Sequence, residues 1–285
     1  MRETSCTILA LFLLFQSAVS YAQTENFEKG IEAIQADLYD EAMVCFIKVV
    51  ENERFEISGK DLSMAYAYLA MIRTANLEKD LSHDDFYTIA HNQGSIHLSV
   101  HAMVRAVEFK SSSSKSLIAS SKNKLIDIST QVLNAIGDSL LYYDKNEQNQ
   151  AAAFLANLAI KQFGELEHIA IDNWHIYDIL GLAHYHLGEM DKSMAQFAKA
   201  REQFATLDKQ PISRFHLKNY ILSSDYYYLE AKNAKEAYKI SEAGSTYTSV
   251  LISALGDDKM KDIIRLSKIQ NRFRRYMTRI DESGG

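Results

Sequence analysis

The amino-acid sequence predicts an all-α fold assembled from helix–turn–helix units. Three observations point there. The 285 residues include a single proline, Pro211, and only 11 glycines, whereas sheet proteins need many turns and turns favour Gly and Pro. Ala, Leu, Lys and Glu, all good helix formers, are abundant. Apolar residues recur at helical spacing in segments that come in pairs, with short polar breaks between them. Hydrophobic residues make up 47% of the chain, enough for a packed core. The formal charge of −6 does not suggest a nucleic-acid partner.

Residues 1–22 are set aside before any fold argument. Met1-Arg2 is a short n-region, and Cys6 to Phe15 is an apolar run too short to span a bilayer as a helix. Ser20-Tyr21-Ala22 places small residues at −3 and −1 of a cut before Gln23. This is the pattern of a secretory signal peptide, with an uncleaved membrane anchor as the alternative. The mature chain then keeps one cysteine, Cys45, which sits inside an apolar helical pattern and reads as a buried small hydrophobe. One cysteine gives no internal disulfide framework. With no Asn-x-Ser/Thr sequon, the chain suits a bacterial periplasm better than a eukaryotic secretory route.

The mature chain opens with Asn26 to Glu51. Phe27, Gly30, Ile31 and Ile34 lie on a first helix, Asp37 to Asp40 make the turn, and Glu41, Ala42, Cys45, Phe46 and Val49 follow on a second. Small residues at Gly30 and Ala42 allow close approach of the two helices, and Phe46 fills the space towards the next pair. Asp61 to Glu78 is another helix, with Asp61 as N-cap and Met64, Tyr68 and Met71 at helical spacing. Its partner is Asp84 to Lys110, in which Gly94 marks a kink or break. Ser111 to Ser121 is the one low-complexity patch, read either as a linker between two blocks or as a longer loop in one continuous array.

Leu125 to Lys145 and Gln150 to Phe163 form a further pair around a turn at Asp144 to Gln148. Asn173 to Phe204 carries the clearest unit: Trp174, Tyr177, Leu180, Gly181 and Tyr185, a break at Leu187-Gly188, then Met194, Phe197 and Ala200. Pro211 precedes a helix from about Ser213 to Lys232, proline being suited to a helix start. Asn233-Ala234 turns, and Lys235-Glu236-Ala237 begins a second helix towards Tyr247. Within the run Tyr226-Tyr227-Tyr228, Tyr228 is expected inside and Tyr227 at the edge. Asp257 to Ile280 is a final amphipathic helix suited to cap a repeat array.

The units at 23–56, 174–207 and 218–251 resemble tetratricopeptide repeats, through Gly30, Tyr39, Glu41-Ala42 and Phe46, through Leu180-Gly181, Leu187-Gly188 and Phe197, and through Tyr228 and Glu236-Ala237. Residues 132–165 resemble the repeat loosely, and 57–110 only as helix pairs. Gly244 stands where the family has a second-helix alanine. Trp174 to Lys218 spans 44 residues, ten beyond the family length, with the surplus at Thr206 to His216. The resemblance implies a right-handed α-solenoid of antiparallel helix pairs with a C-terminal capping helix. Its organisation is then a signal peptide at 1–22, an N-terminal block at 23–110, a Ser-rich loop or linker at 111–121, a C-terminal block at 122–255 and a cap at 256–281.

It also implies a protein or peptide partner bound in a concave groove lined by the first helices. Carried over position by position, the groove holds His175, Asp178, Leu182, Tyr185, His186, Asn219, Leu222, Tyr226 and Leu229, with Phe27, Ile31 and Ile34 in the first unit. The chaperone-binding subgroup grips a carboxylate with Lys, Asn and Arg, but those positions here hold Phe27, Asp178 and Leu222, so that clamp is absent.

Other chemistry is sparse. His97 and His101 are four apart on a helix, a spacing that can share a metal, and His83, Asp84, Asp85 and His91 are near in sequence. Leu98 stands where the zinc-protease pattern needs Glu. His184 and His186, two apart, point to different faces. Residues 257–282, the last helix and the two residues after it, carry eight basic side chains against five acidic ones, a charge of +3 that leaves −9 for the rest. That contrast reads as a solvated cap face, with contact to anionic lipid or an acidic partner as the other reading. No phosphate loop, GxSxG elbow or CxxC pair appears. The functional expectation is a non-catalytic interaction scaffold of the bacterial envelope, without cofactor, resident metal or nucleic acid, and with membrane contact not expected. The alternatives are a metal-binding protein or enzyme using His97 and His101, and a membrane-anchored sensor or assembly subunit. The oligomeric state is left open.

Overall fold

The computed structural model describes residues 23–51, 58–81, 93–109, 111–169, 173–255 and 259–282, and the signal-peptide reading of 1–22 lies outside them. The described residues form helices and turns without a strand. In order these are α1 (23–35), α2 (Tyr39–Glu51), α3 (Gly59–Leu81), α4 (Gln93–Glu108), α5 (Lys115–Lys145), α6 (Asn149–Phe163), α7 (Trp174–His186), α8 (Met190–Ala205), α9 (Arg214–Asp225), α10 (Ala234–Ala254) and α11 (Met260–Glu282). Short 3-10 turns stand at Ser112–Ser114 and Gly164–His168, and a π-helical turn at Tyr226–Glu230. Two compact units divide the chain, one running to Val132 and including Lys161–Ile171, the other comprising Leu133–Ile160 and the residues from Asp172 onward.

One hairpin geometry recurs. After α1, α5 and α7 the chain passes through a single left-handed residue, Asp37, Glu147 and Gly188, with φ of 57°, 57° and 73°. In each case the next residue's N–H reaches back five positions, Leu38 to Ala33, Gln148 to Tyr143 and Glu189 to His184, at 2.9, 2.9 and 3.0 Å. The left-handed residue itself bonds three positions back. This is the Schellman closure, which satisfies carbonyls that a helix end otherwise strands. Lys232, at φ 49°, plays the same part after the π turn, where Asn233 reaches Tyr227 at 2.9 Å. Five residues beyond each left-handed position stands a small buried residue, Ala42, Ala152, Ser193 or Ala237. The loosely matching pair at 132–165 therefore shares the hairpin of the clear units.

In the first unit, the Phe46 ring lies over Gly30, stacks on Tyr68 of α3 at 5.1 Å and meets Phe27 edge-on at 6.0 Å. It packs both within its own pair and onto the next, as expected. Helix α3 is buried on most sides along its middle, from Leu62 to Thr74, because α2 and α4 both pack against it. Its N-cap is Ser58, not Asp61. The Ser58 hydroxyl accepts from the Asp61 amide at 3.1 Å and donates to the Asp61 carboxylate at 2.6 Å, which makes Asp61 the third residue of the first turn. Gly94 is the second residue of described α4, while its expected upstream turn lies outside the described residues. Cys45 is half-buried, not buried.

The Ser-rich stretch 111–121 is not a loop. Ser111 caps the 3-10 turn by accepting from the Ser113 amide, and α5 begins at Lys115. Ser114 is sealed by a 2.6 Å hydrogen bond to Ser63 of α3, which also donates to the Ala106 carbonyl at 3.0 Å. Serine hydroxyls here satisfy backbone and one another in place of water, so low complexity does not yield flexibility.

In the second unit, α7 and α8 form a hairpin with Phe197 lying over Gly181. Helix α9 packs on α7, α8 and α10, and α10 packs on α11. Phe215 of α9 lies over Gly137 of α5, and Phe273 of α11 lies over Gly244 of α10. That last contact explains the glycine standing where an alanine is usual. The core gathers Phe204, Tyr220, Ile240, Tyr247, Leu251, Leu266 and Phe273. Tyr227 packs against this core, whereas Tyr228 stacks on Tyr276 at 4.5 Å, the reverse of the expected assignment. The π turn is the reason, because its wider backbone rotates the three tyrosines out of α-helical register.

Candidate functional site

The polar centre of the second unit is a buried network on the seam between α7, α8 and α9. Asp178 is fully buried and accepts from His216 Nδ1 at 2.8 Å and from Asn219 Nδ2 at 2.7 Å. Asn219 Nδ2 also donates to the Phe197 carbonyl at 3.0 Å. Asn219 Oδ1 accepts from Arg201 at 2.6 Å and from Ser223 at 3.1 Å, and Arg201 donates to Ser223 at 2.7 Å. Desolvation lowers the Arg201 pKa, with Tyr220, Tyr227, Asp178 and Glu236 opposing it. Aromatic rings close the network: His216 stacks on Phe204 at 3.8 Å and meets Trp174, Tyr220 and Tyr247 edge-on. Burial pushes the phenols of Tyr220 and Tyr247 up to about 12. An aspartate beside a histidine resembles part of a catalytic triad, but both side chains here have no exposed surface. The network is a structural lock between helices.

An accessible concavity lies elsewhere in the same unit. It is a cleft of about 790 Å³ with walls from α5, α9, the end of α10 and α11. Leu141, Leu217, Ile221, Leu251, Leu266 and Ile269 make it apolar, and Ile212 and Tyr142 are 65% and 60% exposed at its edge. Its rim carries ion pairs, Lys218 to Asp144 at 2.7 Å and Arg214 to Asp138. Lys145, Asp262 and Arg265 line it as well, and between these charges the apolar floor is a part of the cleft that gains from being covered.

The residues expected to line a groove are distributed differently. Asp178 and Asn219 are held in the buried network, and Leu182 and Leu222 are buried. His175 is half-buried against Asn134 and Phe215, and desolvation lowers its pKa against the pull of Asp178 and Asp138. Tyr185 and His186 are half-buried and meet edge-on at 5.7 Å. Burial first, then Asp144, Asp225 and Glu230, raises the Tyr185 pKa, while burial lowers that of His186. Tyr226 is half-buried and Leu229 exposed, both in the π turn. None of these nine lines the cleft.

The cleft uses Arg214, Leu217, Lys218 and Ile221, one step round α9 from Asn219 and Leu222. Helix α9 lies directly on α7, so its Asn219 face is spent on Asp178. A signal for the true lining was present in the sequence. Leu217 and Ile221 form a second apolar pair four residues apart, on a helix whose core side Phe215, Tyr220 and Leu222 already supply.

In the first unit, His97 and His101 stand with ring centroids 6.1 Å apart, and His101 Nδ1 meets Glu165 at 3.0 Å. Among the described residues no group of three or more His, Cys, Asp or Glu is placed to hold a metal ion. His83, Asp84, Asp85 and His91 lie outside the described residues. No helix of the described residues is long and apolar enough to cross a membrane.

The sequence matches no known protein family, and no curated protein matches it. Among solved structures it aligns with the TPR2AB-domain:pHSP90 complex of yeast Sti1. The alignment covers 87% of this chain and 98% of that one, at 12% identity and a TM-score of 0.30.

Proposed function

We propose that the second unit is a non-catalytic protein-interaction module that takes an apolar segment of a peptide or protein partner into the cleft between α5, α9 and α11. The observation that carries this reading is the cleft itself, an open apolar floor with two ion pairs among the charges at its rim. Such a surface gains free energy when covered, at roughly 25 cal/mol per Å² of apolar area removed from water. The polar cluster that most resembles a catalytic centre is sealed from solvent, which favours binding over chemistry.

The test is selection of displayed peptides on the purified chain. Apolar sequences should be enriched, and Leu217→Glu with Ile221→Glu should weaken their binding at least tenfold while far-UV circular dichroism stays unchanged. Tyr185→Ala with Tyr226→Ala serves as the comparison. Loss of binding in that pair and not in the cleft pair would move the site to the surface first expected from the repeat positions and overturn the present one. The sequence of residues 1–22 supports export to a bacterial envelope, for which a mature chain beginning at Gln23, read by mass spectrometry, is the check.

A further inference from the structure

We propose that α11 extends the cleft into an acid-binding track, so that the partner segment is apolar at one end and acidic at the other. This rests on the cleft reading above and adds the chemistry of the ligand. Lys261, Arg265, Lys268, Arg272, Arg275 and Arg279 follow one another at alternating spacings of four and three residues. That spacing keeps all six on one face of the helix, along about 27 Å of its length. All six are exposed. Arg272 alone among them forms an ion pair with a described residue, donating two hydrogen bonds to Asp225 at 2.7 and 2.6 Å.

Like charges three and four residues apart destabilise a helix. This face is therefore not the one that helix stability by itself selects, and an anion laid along it relieves the repulsion. The track and the cleft are continuous. Arg265 lines the cleft, and Ile269 lines both the cleft and a second concavity of about 390 Å³ formed with Lys268, Arg272, Arg275, Tyr276 and Arg279.

The charge distribution selects a short acidic segment over an extended polyanion. Outside residues 257–282 the chain carries −9, which repels a nucleic acid or an anionic bilayer wherever either extends past the helix. A bilayer would also need a continuous apolar face to enter, and α11 has turned Leu266 and Phe273 into the core, leaving Met260 and Ile264 near its start as its exposed large apolar side chains among the described residues.

The experiment titrates the full chain with three labelled synthetic peptides: an apolar core followed by a run of glutamates, the same core followed by glutamines, and the glutamate run alone. The glutamate-tailed peptide should bind about tenfold tighter than its glutamine twin at low ionic strength, and high salt should erase the difference. The triple variant Lys268→Gln, Arg275→Gln, Arg279→Gln should also erase it and leave the glutamine-tailed peptide unaffected. Leu217→Glu with Ile221→Glu should weaken both tailed peptides, so failure of the cleft and failure of the track are separately visible. If the glutamine-tailed peptide does not bind, the cleft reading fails and the track is judged on the glutamate run alone. Its retention by the native chain and loss from the triple variant support the track, and no retention overturns it. Equal affinity for the two tailed peptides overturns the proposal. So does preferential binding to phosphatidylserine vesicles or to a single-stranded oligonucleotide, or charge-dependent dimerisation of the chain in place of peptide binding.

Discussion

Tyr247 shows how one side chain ties the second unit together. Its hydroxyl donates to the Pro211 carbonyl at 3.0 Å and accepts from the Ser213 amide at 2.9 Å, pinning the start of α9 to α10. Burial holds this phenol and that of Tyr220 at about 12, above the ordinary 10. The native state therefore keeps protons that the unfolded chain releases first. The associated stability, about 2–3 kcal/mol for each phenol, is complete below pH 10 and is lost as pH rises to about 12. Alkaline unfolding followed by circular dichroism should fall in that window. Tyr247→Phe removes one of the two ionisations and should broaden the alkaline transition, while lowering stability at neutral pH by about 1–2 kcal/mol through the lost hydrogen bonds. An unaltered alkaline profile in that variant would remove the phenol from the account.

At the scale of the element, the hairpin is the conserved object and its residues are not. The left-handed position is glycine once, at Gly188, and otherwise Asp37, Glu147 and Lys232. A side chain with a β-carbon is strained there. Glu147→Gly should raise stability by about 0.5–1 kcal/mol, and Gly188→Ala should lower it by at least roughly 1 kcal/mol, both read from urea denaturation midpoints. The same geometry explains what was legible beforehand. Where the helix-packing glycine and its phenylalanine are both kept, as at Gly30 with Phe46 and Gly181 with Phe197, the sequence declares the unit. At the equivalent places around Glu147 stand Leu140 and Ala156, where the large and small residues have changed sides and both remain buried. Volume is conserved while the signature disappears, so that pair showed only as helical periodicity. The serines at 111–114 were misleading for a related reason: their hydrogen bonds depend on Ser63, some fifty residues earlier, and no local pattern announces that.

Across the second unit, the split between core and cleft was harder to read than the helices. Helix periodicity gives each helix an apolar face, but the face that meets a neighbour depends on how two helices are rotated against each other. Asp178 and Asn219 were expected to face a ligand because repeat position alone placed them there. Long-range hydrogen bonding to His216 and Arg201 turns them inward, and the half-buried Leu217 and Ile221 line the cleft instead. The charge of α11, by contrast, was plain in composition, and its continuity with the cleft is what the structure adds.

The seating of Phe273 over Gly244 has a consequence for affinity. Helix α11 supplies one wall of the cleft and the whole basic track, and its main packing partner is α10. The proposed site is therefore complete only in the population of molecules whose last helix is docked. Apparent affinity scales with that population even for residues that never touch the ligand. Phe273→Leu keeps an apolar side chain but removes the ring from the glycine. It should raise the apparent Kd for a bound peptide in proportion to the undocked fraction and speed amide hydrogen exchange along α11 by the same factor. A saturating peptide should slow that exchange again, because whatever binds only the docked state holds the helix in place. On the proposed reading, docking of the final helix and binding of the ligand are linked equilibria.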